Sequence, residues 1–324
     1  MNSTVELRSK IGVVVPCYNV REKILDVLRG IPDVVQRIYV VDDACPQQSG
    51  QHVVESTMDA RIVVITHASN QGVGGAMVSG YRAALSDGMD IVVKIDGDGQ
   101  MDPGLLSKFI QPIIEQRADY AKGNRFFELE SLRSMPTVRL IGNAVLSFVN
   151  KLSCGYWDVM DPTNGYIAIH AKVLKRIPLE KVSKRYFFES DMLFRLATLR
   201  AVVLDIPMDA VYGNEKSGLK ITPVAFGFPP KYLKRMIKRL FYNYFLRDFN
   251  AGSIQFLLGF LLVLFGSYWG ISHWLESAAS GVAATSGTVM LAALPSLIGA
   301  HLLIAAVNFD IANVPRRCLH PMLA

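Results

Sequence analysis

The sequence predicts an α/β domain on a mostly parallel sheet, followed by a basic amphipathic helix and two membrane-spanning helices. Three observations carry this. Short β-branched apolar runs alternate with helical patterns over the first two-thirds of the chain, as βαβ units require. Polar and acidic residues stand at the C-terminal ends of four of those runs, where open α/β sheets bind their ligands. Two segments after residue 253 are long, apolar and free of Lys, Arg, Asp and Glu.

In chain order, Ile11–Val15 is the first strand; it ends at Pro16-Cys17-Tyr18-Asn19, and a helix follows to about Arg29. Arg37–Val41 is the second strand and ends at Asp42-Asp43. Arg61–Ile65 is the third, leading through Asn70-Gln71-Gly72-Val73-Gly74-Gly75-Ala76 into a helix to about Ser86. These glycines do not make a dinucleotide fingerprint: position 77 is Met, where a third Gly is required, and the segment follows the third strand, not the first. The P-loop pattern is absent. Ile91–Ile95 is the fourth strand and Asp119–Lys122 a weaker fifth. A helical run spans Thr137 to about Leu152, Asp161-Pro162-Thr163-Asn164-Gly165 is a turn, and Tyr166–His170 is a further strand. Phe187-Phe188-Glu189-Ser190-Asp191 opens a helix carrying Met192, Leu193, Leu196 and Leu199, and either acid suits its positive dipole end.

The fourth strand carries the strongest chemical signal. Its apolar run ends in Asp96-Gly97-Asp98-Gly99. Asp102-Pro103 then reads as an N-cap followed by Pro in the first helical turn. Carboxylates at i and i+2 on a strand edge are hard oxygen ligands for Mg²⁺ or Mn²⁺, ions that complete their coordination with water and substrate phosphates. An EF-hand loop also begins D-x-D, but it needs Gly at its sixth position and Glu at its twelfth; here those are Met101 and Ser107.

Composition excludes several classes. The net charge is +6 and 51% of residues are apolar, with the apolar excess after residue 253. Four cysteines show neither C-x-x-C spacing nor a metal-site pattern, which fits a reducing compartment. Met1–Lys10 is polar and charged, so no secretory signal is expected. Zinc-finger spacing, a basic arm and RNP-type aromatics are all missing, which excludes nucleic acid as the expected partner.

Taken together and in order, Pro16-x-Tyr18-Asn19, Val41-Asp42-Asp43, Asn70-x-Gly72-x-x-x-Ala76 and Asp96-x-Asp98 resemble the GT-A glycosyltransferases of the large inverting family that uses nucleotide sugars. Gly123-Asn124-Arg125 and the Arg139 segment narrow the resemblance to the dolichyl-phosphate mannose synthase-like branch, which loads a sugar onto a polyprenyl phosphate. The resemblance covers roughly residues 10 to 250. It implies a Rossmann-like GT-A sheet, with Pro16, Tyr18, Asn19, Val41, Asp43, Asn70 and Gly72 binding the nucleotide sugar. It implies Asp96 and Asp98 on the metal, Asp98 and Arg125 in catalysis with Arg125 on phosphate, and a catalytic carboxylate at Asp191. Arg139, Thr163 and Asn164 fall on the acceptor-phosphate side. Lys216-Ser217-Gly218-Leu219-Lys220 resembles the branch's flexible loop, which gives Lys216 to the donor and Lys220 to the acceptor phosphate. One departure is that Val20 stands where the family often has Glu; the acid here is Glu22.

No acid lies between Glu215 and Asp248, while eight cations do. From Lys231, the residues Leu233, Met236, Ile237, Leu240, Phe241, Tyr244 and Phe245 share one helical face opposite the cations, the pattern of an interfacial helix. Ile254–Leu275 and Thr288–Phe309 are the two spans, with Trp269 and Trp274 suited to an interface and Pro295 to a kink. The link Glu276–Gly287 lacks Lys and Arg; Arg247 and Arg316-Arg317 flank the pair, which places both ends in the cytoplasm. The expected organisation is a cytosolic catalytic domain over 1–225, a basic juxtamembrane helix over 226–250 and a two-helix transmembrane region over 251–324.

The expected function is transfer of a hexose from a nucleotide sugar, UDP-linked in preference to GDP-mannose, onto a polyprenyl phosphate in the membrane. A phosphate acceptor is ionised near neutrality, its second pKa being about 6, so it needs little general-base help. The larger demand is to offset repulsion between two anions. A processive polysaccharide synthase would carry a Q-x-x-R-W segment, which is absent. A non-catalytic nucleotide-sugar-binding scaffold is the alternative from another class, and retention of both Asp96 and Asp98 argues against it. The branch also leaves a homo-oligomer open.

Overall fold

The computed structural model describes residues 9–127, 137–208 and 221–324, with side chains from 140 and 227 onward in the helices that open at 137 and 221. The chain divides into two compact units, Met1–Met236 with Pro315–Ala324, and Ile237–Val314.

The first unit is organised by seven strands: β1 Ile11–Cys17, β2 Arg37–Asp42, β3 Ile62–Thr66, β4 Ile91–Lys94, β5 Tyr120–Asn124, β6 Ile167–His170 and β7 Val203–Pro207. They form one sheet in the order β3-β2-β1-β4-β6-β5-β7. All neighbours are parallel except β6, which runs antiparallel to both β4 and β5. The C-terminal ends of β1, β2, β4 and β5 therefore share an edge with the start of β6.

The helices are α1 Ile24–Gly30, α2 Ser49–Ser56, α3 Val73–Ser86, α4 Leu106–Ile114, α5 Thr137–Cys154, α6 Ala171–Leu174 and α7 Phe188–Leu199, then α8 Ile221–Phe241, α9 Ala251–Ser280 and α10 Ser286–Ala312. The expected cap is present: Asp102 Oδ1 accepts from Gly104 N, and Pro103 opens a 3-10 turn that runs into α4. Alternation along the strands sends Val13, Val15, Val93 and Ala168 into a core with Leu106, Phe109 and Ile113 of α4. The other face meets α3, where a Cβ at Gly80 would strike Val14. On that second face, Lys94 and Lys122 are both in register with Ile167.

At the opposite edge the last residues return to the sheet. Asp119 accepts from the Leu319 and His320 backbone N–H groups and from Val202 N, and pairs with His320 Nδ1 at 2.7 Å. Asp119, Cys318 and His320 form a cluster of metal-ligand type, but these donors already fill the roughly four lone-pair directions of a carboxylate. His170 stacks on His320 with ring centroids 4.2 Å apart, and burial followed by that neighbour pulls His170 down to about 4.

The second unit is a helical hairpin. Asn250 and Ser253 cap α9 reciprocally. Gly259 and Gly299 stand against each other's backbone, so that a Cβ on either would lie within 2.9 Å of the other's carbonyl oxygen. Arg239 pairs with Asp310 at 2.7 Å. Both α9 and α10 are long and apolar enough to cross a bilayer and are mostly exposed. The non-helical link is shorter than the sequence suggested, Gly281–Thr285, and Pro295 lies inside α10. The basic helix starts earlier than expected, at Ile221, and its Leu233, Ile237 and Phe241 are exposed beside Lys234 and Lys238.

Candidate active site

The site assembles where β1, β2, β4 and β5 end and β6 begins. Pro16 lies in register with Val41, and a Cβ at Gly97 would meet the Pro16 carbonyl oxygen at 3.4 Å, so the D-x-D loop rests on the end of β1. Tyr18 is 48% exposed, free to cover a planar ring, and Asn19 holds a left-handed φ of 60° with its N–H on Cys45 Sγ.

The two acids at the end of β2, Asp42 and Asp43, are buried and hold loops together. Asp42 accepts from Cys45 N and Gly50 N. Asp43 accepts from Gln71 N at 2.8 Å and Gly72 N at 2.7 Å and pairs with His67 Nδ1 at 2.7 Å. This fixes the Asn70–Gly72 loop, with Asn70 exposed at its tip. Gly72 has φ +84°, and a Cβ there would collide with the Lys184 carbonyl, so glycine is required where this loop meets the segment entering α7.

At the end of β4, Asp96 keeps 28% of its side chain exposed and Asp98 is half-buried, accepting from Gln100 N. Behind them sits Lys94, only 1% exposed. Its ammonium lies 2.8 Å from Asp96 Oδ1 and 3.5 Å from Glu189 Oε1, and donates to the Gly165 carbonyl at 3.2 Å. Burial pulls Lys94 down, but Asp96 and Glu189 together outweigh it and hold it above its ordinary value. Burial pushes the Glu189 carboxyl up, against the pull of Lys94. A Cβ at Gly165 would lie 2.8 Å from Asp96 Oδ2 and run into the Lys94 ammonium. Glycine is therefore what lets the turn before β6 close onto the D-x-D pair.

The end of β5 supplies the second cluster. Arg125 makes a two-point pair with Asp161, Nε to Oδ2 at 2.7 Å and Nη2 to Oδ1 at 3.0 Å. Lys122, fully buried, donates to the carbonyls of Asp161 and Asn164, and burial pulls it down to about 8. Burial alone would raise the Asp161 carboxyl, but Arg125 and Lys122 outweigh it and hold it below the ordinary carboxylate range. Thr163 is half-buried with its hydroxyl 3.5 Å from Asp161 Oδ1, while Asn164 donates to Asp161 and accepts from Tyr166 N.

Asp191, the acid expected to be catalytic, is engaged by cations. It is fully buried, with Oδ2 held by Arg195 and Ser183 N and Oδ1 by Arg235 at 2.6 Å. Glu189, two residues earlier, is the α7 carboxylate that faces Lys94. Arg139 lies in α5, its side chain outside the described residues, as are Lys216 and Lys220. The structure thus brings together Pro16, Val41, Asp96, Asp98 and the Thr163–Gly165 turn, with Arg125 beside that turn. Lys94, Lys122, Glu189 and Asp161 were missed as site residues. A lysine inside an otherwise apolar strand run, Ile91-Val92-Val93-Lys94, was the available signal.

Comparison with known proteins bears on this geometry. Residues 12–178 match the model of glycosyl transferase family 2. A UDP-N-acetylglucosamine–dolichyl-phosphate N-acetylglucosaminyltransferase from Methanococcus voltae is 29% identical over 242 residues, 70% of this chain and 96% of the relative. An undecaprenyl-phosphate mannosyltransferase from Micrococcus luteus is 30% identical over 206 residues, 62% of this chain and 84% of the relative. Among solved structures, glucosyl-3-phosphoglycerate synthase from Mycobacterium tuberculosis, in complex with Mn²⁺ and UDP-glucose, superposes with TM-score 0.53 at 18% identity, covering 71% of this chain and 79% of the other. That likeness shows the GT-A fold.

Proposed function

We infer that this chain, which belongs to glycosyl transferase family 2, moves a sugar from a nucleotide sugar onto a polyprenyl phosphate at a membrane, with inversion. The observation that carries the reading is the meeting of the Asp96–Asp98 pair, the Arg125–Asp161 pair and the Thr163–Gly165 turn at one sheet edge, in a chain with two helices long enough to span a bilayer. A phosphate oxygen of the acceptor forms a bond to the anomeric carbon as the bond from that carbon to the nucleoside diphosphate oxygen breaks. The diphosphate leaves with the bonding pair.

Each residue set has a task in this reading. Tyr18 and Asn19 meet the nucleoside, and Pro16, Val41 and Asp43 shape its pocket, Asp43 by anchoring the Asn70–Gly72 loop. Asp96 and Asp98 are hard oxygen donors on an open strand edge, a set that fits Mg²⁺ or Mn²⁺; the ion, when bound, offsets charge on the departing diphosphate. Arg125, positioned by Asp161, adds fixed positive charge to donor phosphate, and Lys216 is assigned beside it. Arg139, Thr163, Asn164 and Lys220 are assigned to the acceptor phosphate. Asp191 acts by holding α7 through Arg195 and Arg235, consistent with an acceptor that needs no strong base. The basic helix and the spans hold the catalytic domain on the cytoplasmic face.

A UDP-hexose donor is favoured by the Methanococcus relative, whose name gives UDP-N-acetylglucosamine. A mannosyl donor is the second reading, favoured by the Micrococcus relative. The test is purified protein with undecaprenyl phosphate, Mn²⁺ and, in turn, UDP-glucose, UDP-N-acetylglucosamine and GDP-mannose, with mass spectrometry of the lipid. One glycosyl-phospho-lipid is expected; a scaffold would yield none and release no nucleotide.

A further inference from the structure

We propose that Lys94 is a positioning residue that keeps the D-x-D pair from holding a divalent cation until the donor's diphosphate is present, so that metal and nucleotide bind interdependently. This rests on the reading that Asp96 and Asp98 are the metal ligands. The ammonium is buried and held at three points. Its three N–H donors meet Asp96, Glu189 and the Gly165 carbonyl, and the strand below it is locked by pairing to Val14 on one side and Ile167 on the other. Asp96 thus already has a counter-charge 2.8 Å away. A cation arriving alone must share that carboxylate with a fixed positive group, and like charges at such range repel strongly away from bulk water. A cation arriving with a diphosphate brings negative charge that reverses the balance. Glu189 completes the device as a second counter-charge 3.5 Å from the ammonium, so that Lys94 remains in place when Asp96 turns toward a ligand.

Removing the charge frees Asp96 and leaves Glu189 beside it, two carboxylates with one fewer cation. The bare site then becomes a better cation site, the opposite of what loss of a merely structural side chain produces. In Lys94→Met, affinity for Mn²⁺ alone should tighten by about tenfold or more, and the advantage that nucleotide gives to Mn²⁺ binding should shrink. Lys94→Arg keeps the charge and should keep that advantage.

The experiment is Mn²⁺ binding by electron paramagnetic resonance of the free ion, using the full chain in detergent, with Mn²⁺ alone, Mn²⁺ with UDP and Mn²⁺ with GDP. Thermal melting accompanies each variant. Lys94→Gln, which is neutral but keeps a polar N–H₂ group, carries the test if Lys94→Met does not fold. The inference is overturned if the neutral variants hold Mn²⁺ alone no tighter than the parent while one nucleotide still supports binding. It is also overturned if Lys94→Arg tightens as much as Lys94→Met. If neither the parent nor any variant retains Mn²⁺ in any arm, the assignment of Asp96 and Asp98 to the metal falls, and this inference with it.

Discussion

Replacing Asp191 by Asn separates a buried anchor from a catalytic base. The carboxylate is fully buried; Arg195 Nη2 lies 3.0 Å from Oδ2 and Arg235 Nε 2.6 Å from Oδ1, while Ser183 N donates to Oδ2. The two guanidiniums are also largely buried, with 9% and 19% of their side chains exposed. Breaking such a pair from one side leaves uncompensated charge and costs about 3–5 kcal/mol. Because Arg235 keeps some solvent and the Asn carbonyl still accepts from Ser183, the lower end, about 3 kcal/mol, is expected. For a unit of this size that lowers the melting temperature by about 6–12 °C, at 2–4 °C per kcal/mol. Differential scanning calorimetry of the purified chain, beside initial rates at 15 °C, makes the comparison. The structure predicts a large fall in melting temperature, with the rate at low temperature retained within about tenfold. An unchanged melting temperature with a rate loss of about a thousandfold or more would refute the anchor and restore Asp191 as a base.

Other perturbations follow from the same contacts. Gly165→Ala drives a methyl into Lys94 and Asp96 and should destabilise by about 1–3 kcal/mol while lowering kcat, read from melting and initial rates. Arg125→Lys keeps the charge but loses the two-point fork on Asp161; kcat/KM for the donor should fall by about tenfold or more, measured by nucleotide release. Asp43→Ala leaves the Gln71 and Gly72 N–H groups without their acceptor, at about 1–3 kcal/mol each if they stay buried, and should raise the donor KM. His170 binds its proton less readily folded, near 4, than unfolded. The unfolded chain therefore carries more protons between about pH 6.5 and 4, and stability falls as pH drops through that window. A melting series should show the fall, and His170→Asn should reduce it.

The catalytic fold was legible where local pattern carries it. β-branched runs marked β1 to β4, and the polar residues at their ends marked the edge where the candidate site assembles. Asp102-Pro103 marked its cap because capping uses residues two apart. The antiparallel insertion of β6 between β4 and β5 was not legible, since Ile167–His170 has the same pattern in either direction. β7 is short and half-buried, without clear alternation. The return of residues 315–324 to the sheet depends on Asp119 meeting a backbone 200 positions away, which no local periodicity encodes. Within the site, the strand ends were placed from sequence but the α7 acids were not. Positions 189 and 191 differ by about 200° around a helix, so only one faces β4, and nothing in the sequence says which. Lys94 stood in plain view as a charge inside an apolar strand, but its partners Glu189 and Gly165 come from distant segments.

In the proposed function, the acids ending β4 serve transfer of sugar to a lipid phosphate. Its most direct measurement is lipid-product mass spectrometry with the parent chain and the Asp96→Asn/Asp98→Asn double variant, each with undecaprenyl phosphate, the preferred nucleotide sugar and Mn²⁺. A glycosyl-phospho-lipid is expected from the parent, with its loss in EDTA, its return with excess Mn²⁺, and a fall of about a thousandfold or more in the variant. Product formation by the double variant at the parent's rate would contradict it.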